Sequence, residues 1–302
     1  MFEKLFSESG LSLDRLRAML EVGASGSIVK AANSDPVRQS QYSRQIKELE
    51  DFFRVKLFER HDKGMQLTHH GRELARISRF FLLGLSNFQR GCLSEDQTFR
   101  IAGSTTLVQQ ILAPVLSALP TTMSNRFILE PAADDEIERR LHDLTLDFAI
   151  VTRSALSRPL QLKEIGKAKL VCLVPRRLQA TRSAAIKAFA NKELALVLAT
   201  RELSGPSIVT LAGIEPNLRA DSFLSALIAL ESQRFGTILP DFLAARLIRF
   251  WQFPIPNHSA AKITFHFAWN PRLLRLNPHV ARTRDLLISA LTEKLQALQI
   301  HK

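Results

Sequence analysis

At 302 residues the chain exceeds the usual size of one hydrophobic core, so two or three domains are expected. With 46% hydrophobic and 23% charged residues it reads as an ordinary globular protein, which excludes a largely disordered chain. The net charge of +12 suits a polyanionic partner, but the excess is +4 over residues 1–90, −1 over 91–175 and +9 over 176–302, so charge alone proves no nucleic-acid site.

Leu13, Leu16, Met19 and Leu20 predict a short amphipathic helix, with Ser12 available as its N-cap. After Gly23, Ser25, Gly26 and Ser27, a second and very short helix is expected over 28–33, carrying the small pair Ala31 and Ala32. Asp35-Pro36 is a strong start signal: Asp accepts first-turn amide hydrogens, and Pro loses nothing at the first helical position. From there Val37, Tyr42, Ile46, Leu49 and Phe53 predict a third helix with one buried stripe and an entirely polar opposite face. That face carries Gln39, Ser40, Ser43, Arg44 and Lys47.

Residues 57–60, 61–64 and 65–68 read as strand, tight turn and strand, with Gly64 able to take a positive φ and with Arg60 and Lys63 on the hairpin. Thr68 or His69 can cap the next helix. Its apolar residues Leu74, Ile77, Phe81, Leu85 and Phe88 recur at spacings of three and four to about residue 90, a stripe that needs a partner.

Beyond Ser94, strands and helices alternate, the pattern of an α/β region. Strands are expected at 99–103, 126–132, 148–152, 169–175, 195–200, 236–240 and 263–269. Helices are expected at 107–119, 134–144, 222–232 and 280–297.

A helix that reads duplex DNA must present hydrogen-bonding side chains to the major groove while its other face is anchored in a small core. Residues 37–53 meet both demands. Gln bonds adenine edges, Ser reaches base or phosphate, and Arg pairs with guanine or holds a phosphate. A polar helix face is also the default of any surface helix, so the order of the elements has to carry the argument.

That order, with its residues, resembles the LysR-type transcription regulators. The match runs through Ser27-Ile28-Val29-Lys30-Ala31-Ala32, Gln39 to Glu50, Leu57-Phe58-Glu59-Arg60, Gly64, and Leu67-Thr68 with Gly71. The resemblance implies a fold that is α/β with an N-terminal all-α winged helix-turn-helix, followed by a two-subdomain α/β module similar to periplasmic binding proteins. It divides the chain into a DNA-binding domain at 11–68 (helix-turn-helix about 28–47), a linker and dimerisation helix at 69–92, and an effector-binding domain at 97–302. Subdomain one of that last part is 97–170 with 263–302, and subdomain two is 171–262; the crossovers are placed at 169–175 and 263–269. The groove-facing positions become Gln39, Ser40, Ser43, Arg44 and Lys47, with Arg60 and Lys63 in the wing. Arg38, Ser40 and Asp35 depart from the usual family residues, which leaves the target sequence open.

The implied partners are double-stranded DNA, a second copy of the chain as dimer or tetramer, a small-molecule effector, and RNA polymerase. Gly103-Ser104-Thr105-Thr106 follows a strand and opens a helix, so its hydroxyls and amides can hold a carboxylate; plain N-capping is the equal alternative. Thr152 with Arg153, and Thr200 with Arg201, face the same expected cleft, and either arginine suits an anionic effector. Gln233 and Phe235 stand where the family has glycines, and Phe235 is expected to fill space, which implies either an unusual effector or a partly closed cleft.

An enzyme is not expected: there is no nucleophile elbow, phosphate loop, dinucleotide fingerprint or paired metal histidines with a glutamate. No cofactor or metal is expected either, since Cys92 and Cys172 lack metal-ligand spacing and are too few for a disulfide framework. No apolar run approaches the roughly 20 residues that cross a bilayer, and Glu3, Lys4 and Glu8 interrupt the N-terminus, so a cytoplasmic protein without a membrane partner is expected.

Overall fold

A computed structural model describes residues 5, 10–61, 64–93, 97–120, 125–178, 181–202, 215–245, 247–254, 262–276 and 278–300. Contacts divide the chain into two compact units, Met1–Leu93 and Ser94–Lys302.

The first unit opens with α1 (Leu13–Ser25), α2 (Ile28–Ala31) and α3 (Pro36–Phe53). Each start is fixed locally. The hydroxyls of Ser12 and Ser27 accept from the amides of Arg15 and Lys30, and Asp35 Oδ1 accepts from Val37 N at 2.9 Å and Arg38 N at 3.4 Å. Asn33 and Ser34 take positive φ in the tight turn that joins α2 to α3. Leu16, Met19 and Val22 of α1 meet Tyr42, Ile46 and Leu49 of α3 in one small core.

Strands β1 (Phe58–His61) and β2 (Gly64–Leu67) form the hairpin, Arg60 opposite Met65 and His61 opposite Gly64. Gly64 has φ 123°, and a Cβ on it would lie 2.6 Å from the carbonyl oxygen of Gly26, which already accepts from Met65 N at 2.9 Å. The hairpin is thus held against the end of α1. Thr68 accepts from Gly71 N at 3.0 Å and opens α4 (His69–Leu93).

Two expectations about apolar faces are corrected here. Leu13 is exposed, and Val37 is 76% exposed; the buried residues of α1 are Leu16, Ala18, Met19 and Val22. Val37 lies five positions before Tyr42, about 140° around the helix from it, so it points away from the stripe.

The second unit has two lobes that share one long strand. In the first lobe, β3 (Gln97–Gly103) is flanked in parallel by β4 (Asn125–Pro131) and β5 (Phe148–Val151). Strand β11 (Lys262–Trp269) runs antiparallel to β5 and to the first part of β6 (Gln161–Pro175). The second part of β6 pairs with β9 (Phe235–Pro240) and β10 (Phe250–Pro254), while β7 (Ala195–Ala199) lies parallel to β9 and β8 (Leu218–Ala220).

Helix α5 begins with Thr105–Leu107, continues as a π turn over Val108–Leu112, and ends with Ala113–Ser117. The others are α6 (Asp134–His142), α7 (Arg182–Ala190), α8 (Phe223–Leu230), α9 (Asp241–Ala244), α10 (Pro271–Leu276) and α11 (Pro278–Ile300).

Strand β6 crosses between the lobes near Lys169 and Leu170, inside a strand that begins eight residues before the expected one. Strand β11 is not itself a crossover: it pairs only within the first lobe. Residues 255–261, which precede it, lie outside the described residues. Among the described residues no helix is long and apolar enough to cross a membrane.

Candidate DNA-reading face and effector cleft

Ser40, Ser43, Arg44 and Lys47 are exposed on one face of α3, opposite buried Tyr42, Ile46 and Leu49, and half-buried Gln39 borders that face. The core fixes the helix phase. Tyr42 donates its hydroxyl to Glu21 of α1, a bond that pushes the phenol pKa up, and Arg15 Nε reaches Glu48 at 2.5 Å. Arg44 lies 3.6 Å from the same Glu48 in a surface pair, which screening leaves weak and its guanidinium available to a stronger acceptor. Val37 shares the outward face, and its methyls suit the methyl group of thymine.

Arg60 is exposed on β1. Lys63 lies outside the described residues. Along α4, Leu74 is half-buried against the small core, whereas Ile77 is 61% and Phe88 74% exposed, with Phe81 and Leu85 also exposed, so the expected apolar stripe is uncovered within this unit from Ile77 onward.

In the second unit the C-terminal ends of β3, β4 and β5 face those of β7, β8 and β9 across a cleft of about 310 Å³. Parallel strands place their C-terminal ends and the following helix starts on one side, which is why ligand sites gather there. Ser104, Thr105, Thr106, Thr152 and Arg201 all line it. Thr200 and Arg153 are not among its lining residues.

The residues of the Ser104 turn differ in their hydrogen bonds. Ser104 caps α5, its Oγ accepting from Leu107 N at 3.4 Å. Thr106, 1% exposed, is committed to a carboxylate of the chain itself: its N–H donates to Glu202 Oε1 at 3.0 Å and its hydroxyl to Oε2 at 2.7 Å. Glu202 is 5% exposed, and its Oε2 also accepts from Phe223 N, at the start of α8, at 2.6 Å. Sequence reasoning missed this residue; nothing in the Thr200-Arg201-Glu202 run marks it. The Ser222 start of α8 did carry a signal, the same strand-serine-helix order as Ser104.

Arg153 is engaged on its own lobe by Asp134 at 4.0 Å, Asp135, and Glu138 at 3.2 Å. Asp134 is in the cleft wall; burial pushes its carboxyl pKa up against the bond from Thr152 at 3.2 Å. Glu136 and Asp221 also line the cleft, with the rings of Phe223, Phe242 and Phe265.

Gln233 takes a positive φ of 54°, which explains the family's glycine there. Phe235 does not close the cleft: it begins β9, while Pro240 at the other end of the strand is the lining residue. Cys172 is buried on β6, and burial pushes its thiol up to about 12, so it presents no thiolate near neutrality. The side chain of Cys92 lies outside the described residues.

The fold and cleft define a two-part protein: a winged helix-turn-helix unit, and a two-lobed α/β unit built to enclose a small ligand. The family model "Bacterial regulatory helix-turn-helix protein, lysR family" matches residues 13–72, and "LysR substrate binding domain" matches 94–292; the chain belongs to the LysR family. It is 24% identical over 185 residues to the HTH-type transcriptional regulator CzcR of Bacillus thuringiensis, covering 59% of this chain and 60% of that relative. The match thus spans about three fifths of that relative's length. Among solved structures, a full-length OxyR variant from Pseudomonas aeruginosa has a TM-score of 0.67 at 17% identity, covering 94% of this chain and 95% of that one. ArgP from Mycobacterium tuberculosis has 0.66 at 17% identity, covering 92% and 96%. At these identities the likeness is one of fold.

Proposed function

We propose that this chain is a cytoplasmic, homo-oligomeric, sequence-specific DNA-binding transcription regulator, with no catalytic role, whose cleft takes a small-molecule effector. The observation that carries this reading is the outward face of α3, where Ser40, Ser43, Arg44 and Lys47 stand opposite an anchored apolar stripe. Gln39 and Arg44 read base edges, Ser40, Ser43 and Lys47 hold the helix in register, and Arg60 with Lys63 contacts the backbone from the wing. The uncovered stripe of α4 pairs with its copy in a second subunit, giving the two-fold presentation that paired half-sites require. Dimer or tetramer, RNA polymerase is the further partner such a regulator addresses on DNA.

The division of roles is tested by comparing variants on a preferred DNA fragment and on random DNA. Gln39→Ala and Arg44→Ala should weaken the preferred fragment about tenfold or more and random DNA little, since a good base contact carries ~1–3 kcal/mol of discrimination. Arg60→Ala should weaken both alike and lower the salt dependence by about one counterion. Equal behaviour of the two kinds of variant would contradict the roles.

A further inference from the structure

The effector reading of the cleft leaves one residue unexplained. Glu202 belongs to the second lobe, yet two of its three donors come from Thr106 of the first lobe. The backbone donors are free first-turn amides of two helices, the groups that bind anions in other clefts because no intrahelical carbonyl takes them and the helix dipole favours negative charge there. A buried carboxylate held by several such donors has the geometry of a bound anionic ligand. Here the anion is covalently part of the chain.

We infer that Glu202 is a tethered occupant of the cleft's anion position: it latches the two lobes across Thr106 and leaves the remaining space to a cationic, amine-type effector. This deepens the effector reading and rests on it. An incoming carboxylate would have to displace Glu202 from three hydrogen bonds. The rest of the lining points the same way: its other carboxyl groups are Asp134, 4.0 Å from Arg153, Glu136, 3.7 Å from Arg140, and Asp221, against the single guanidinium of Arg201 among the described lining residues. Phe242 and Phe265 add aromatic rings to the same lining, a residue type that attracts cations. The anionic effector expected from Arg153 and Arg201 is thereby replaced: Arg153 is already paired, and the anion position is already filled.

The test is chemical rescue in the full-length protein, read as melting temperature at constant ionic strength with sodium chloride as the control. Glu202→Ala should melt about 5 °C below the wild type, as one lost buried charge-assisted contact does in a domain of this size, and sodium acetate should restore most of the loss by entering the vacated position. Acetate should leave the wild type unmoved, whereas 1,4-diaminobutane should raise it and should fail to raise Asp134→Asn.

Acetate stabilising the wild type as much as Glu202→Ala, or failing to stabilise the variant, overturns the occupant. A wild type that ignores the diamine overturns the amine assignment. If Glu202→Ala yields no folded protein with or without acetate, Glu202→Gln decides: it fills the space but sets an amide against a donor, so melting equal to the wild type would overturn the latch. The underlying reading fails separately. If Glu202→Ala binds DNA with the same affinity whether empty or acetate-filled, the latch stands and control of DNA binding by the cleft is lost.

Discussion

Two carboxyl groups on α6 show how this chain sets acidity by position. Glu138 accepts from the hydroxyl and, at 2.8 Å, the amide of Ser157, with Arg153 beside it, and these hold its carboxyl below the ordinary 4.5. A depressed carboxyl contributes stability that is present above its unfolded pKa and lost as pH falls through the folded value. Removing the hydroxyl in Ser157→Ala should therefore cost about 1 kcal/mol near pH 7, and the difference from wild type should shrink below pH 4 when followed by urea unfolding. A cost unchanged at acid pH would assign it to packing instead. Asp134 has the opposite sign: burial raises its pKa, so its charge opposes folding at neutral pH and the opposition is relieved as pH falls. The residue types around the cleft were legible in the sequence through the strand-serine-helix signal at Ser104, but Glu202 was not. Its partners Thr106 and Phe223 lie 96 and 21 residues away, and only the meeting of two lobes brings them together.

At the scale of elements, caps and turns were the most readable features because each depends on neighbours in sequence. Ser12 starts α1, Asp35-Pro36 starts α3, Thr68 starts α4, and Gly64 turns the hairpin. Replacing Asp35 with Ala should loosen the first turn of α3 and cost about 1 kcal/mol, visible as faster amide exchange at Val37 and Arg38. Helix phase was less readable. Val37 and Leu13 are apolar at near-helical spacing yet point outward, since periodicity gives a face only to within a residue or so at helix ends. Strand β6 was read short because Lys163, Glu164 and Lys167 make its first half look polar, although β11 covers one edge of it. Strand β8 has three residues and no period to read. The stripe on α4 makes its own prediction: Phe81→Glu should leave the protein folded and shift its sedimentation from dimer or larger to monomer, whereas an unchanged sedimentation coefficient would remove α4 from the interface.

At the scale of the whole molecule, net charge is a poor guide to the proposed DNA-reading unit. The residues of the first unit carry a small excess, and the largest excess falls within residues 176–302, whereas the cleft of the second unit is lined by more carboxylates than guanidinium groups. What supports the proposed DNA reading by the first unit is geometry: short helices locked by a small core, a hairpin held to Gly26, and one helix whose outward face carries amide, hydroxyl and guanidinium groups. The most direct measurement is the affinity of the full-length protein for genomic fragments, including the region upstream of its own gene, against random duplex DNA at physiological salt. At least one fragment should bind about 10³-fold more tightly or better, and Arg44→Ala should remove most of that ratio. Affinity for every fragment equal to that for random DNA would contradict the central claim.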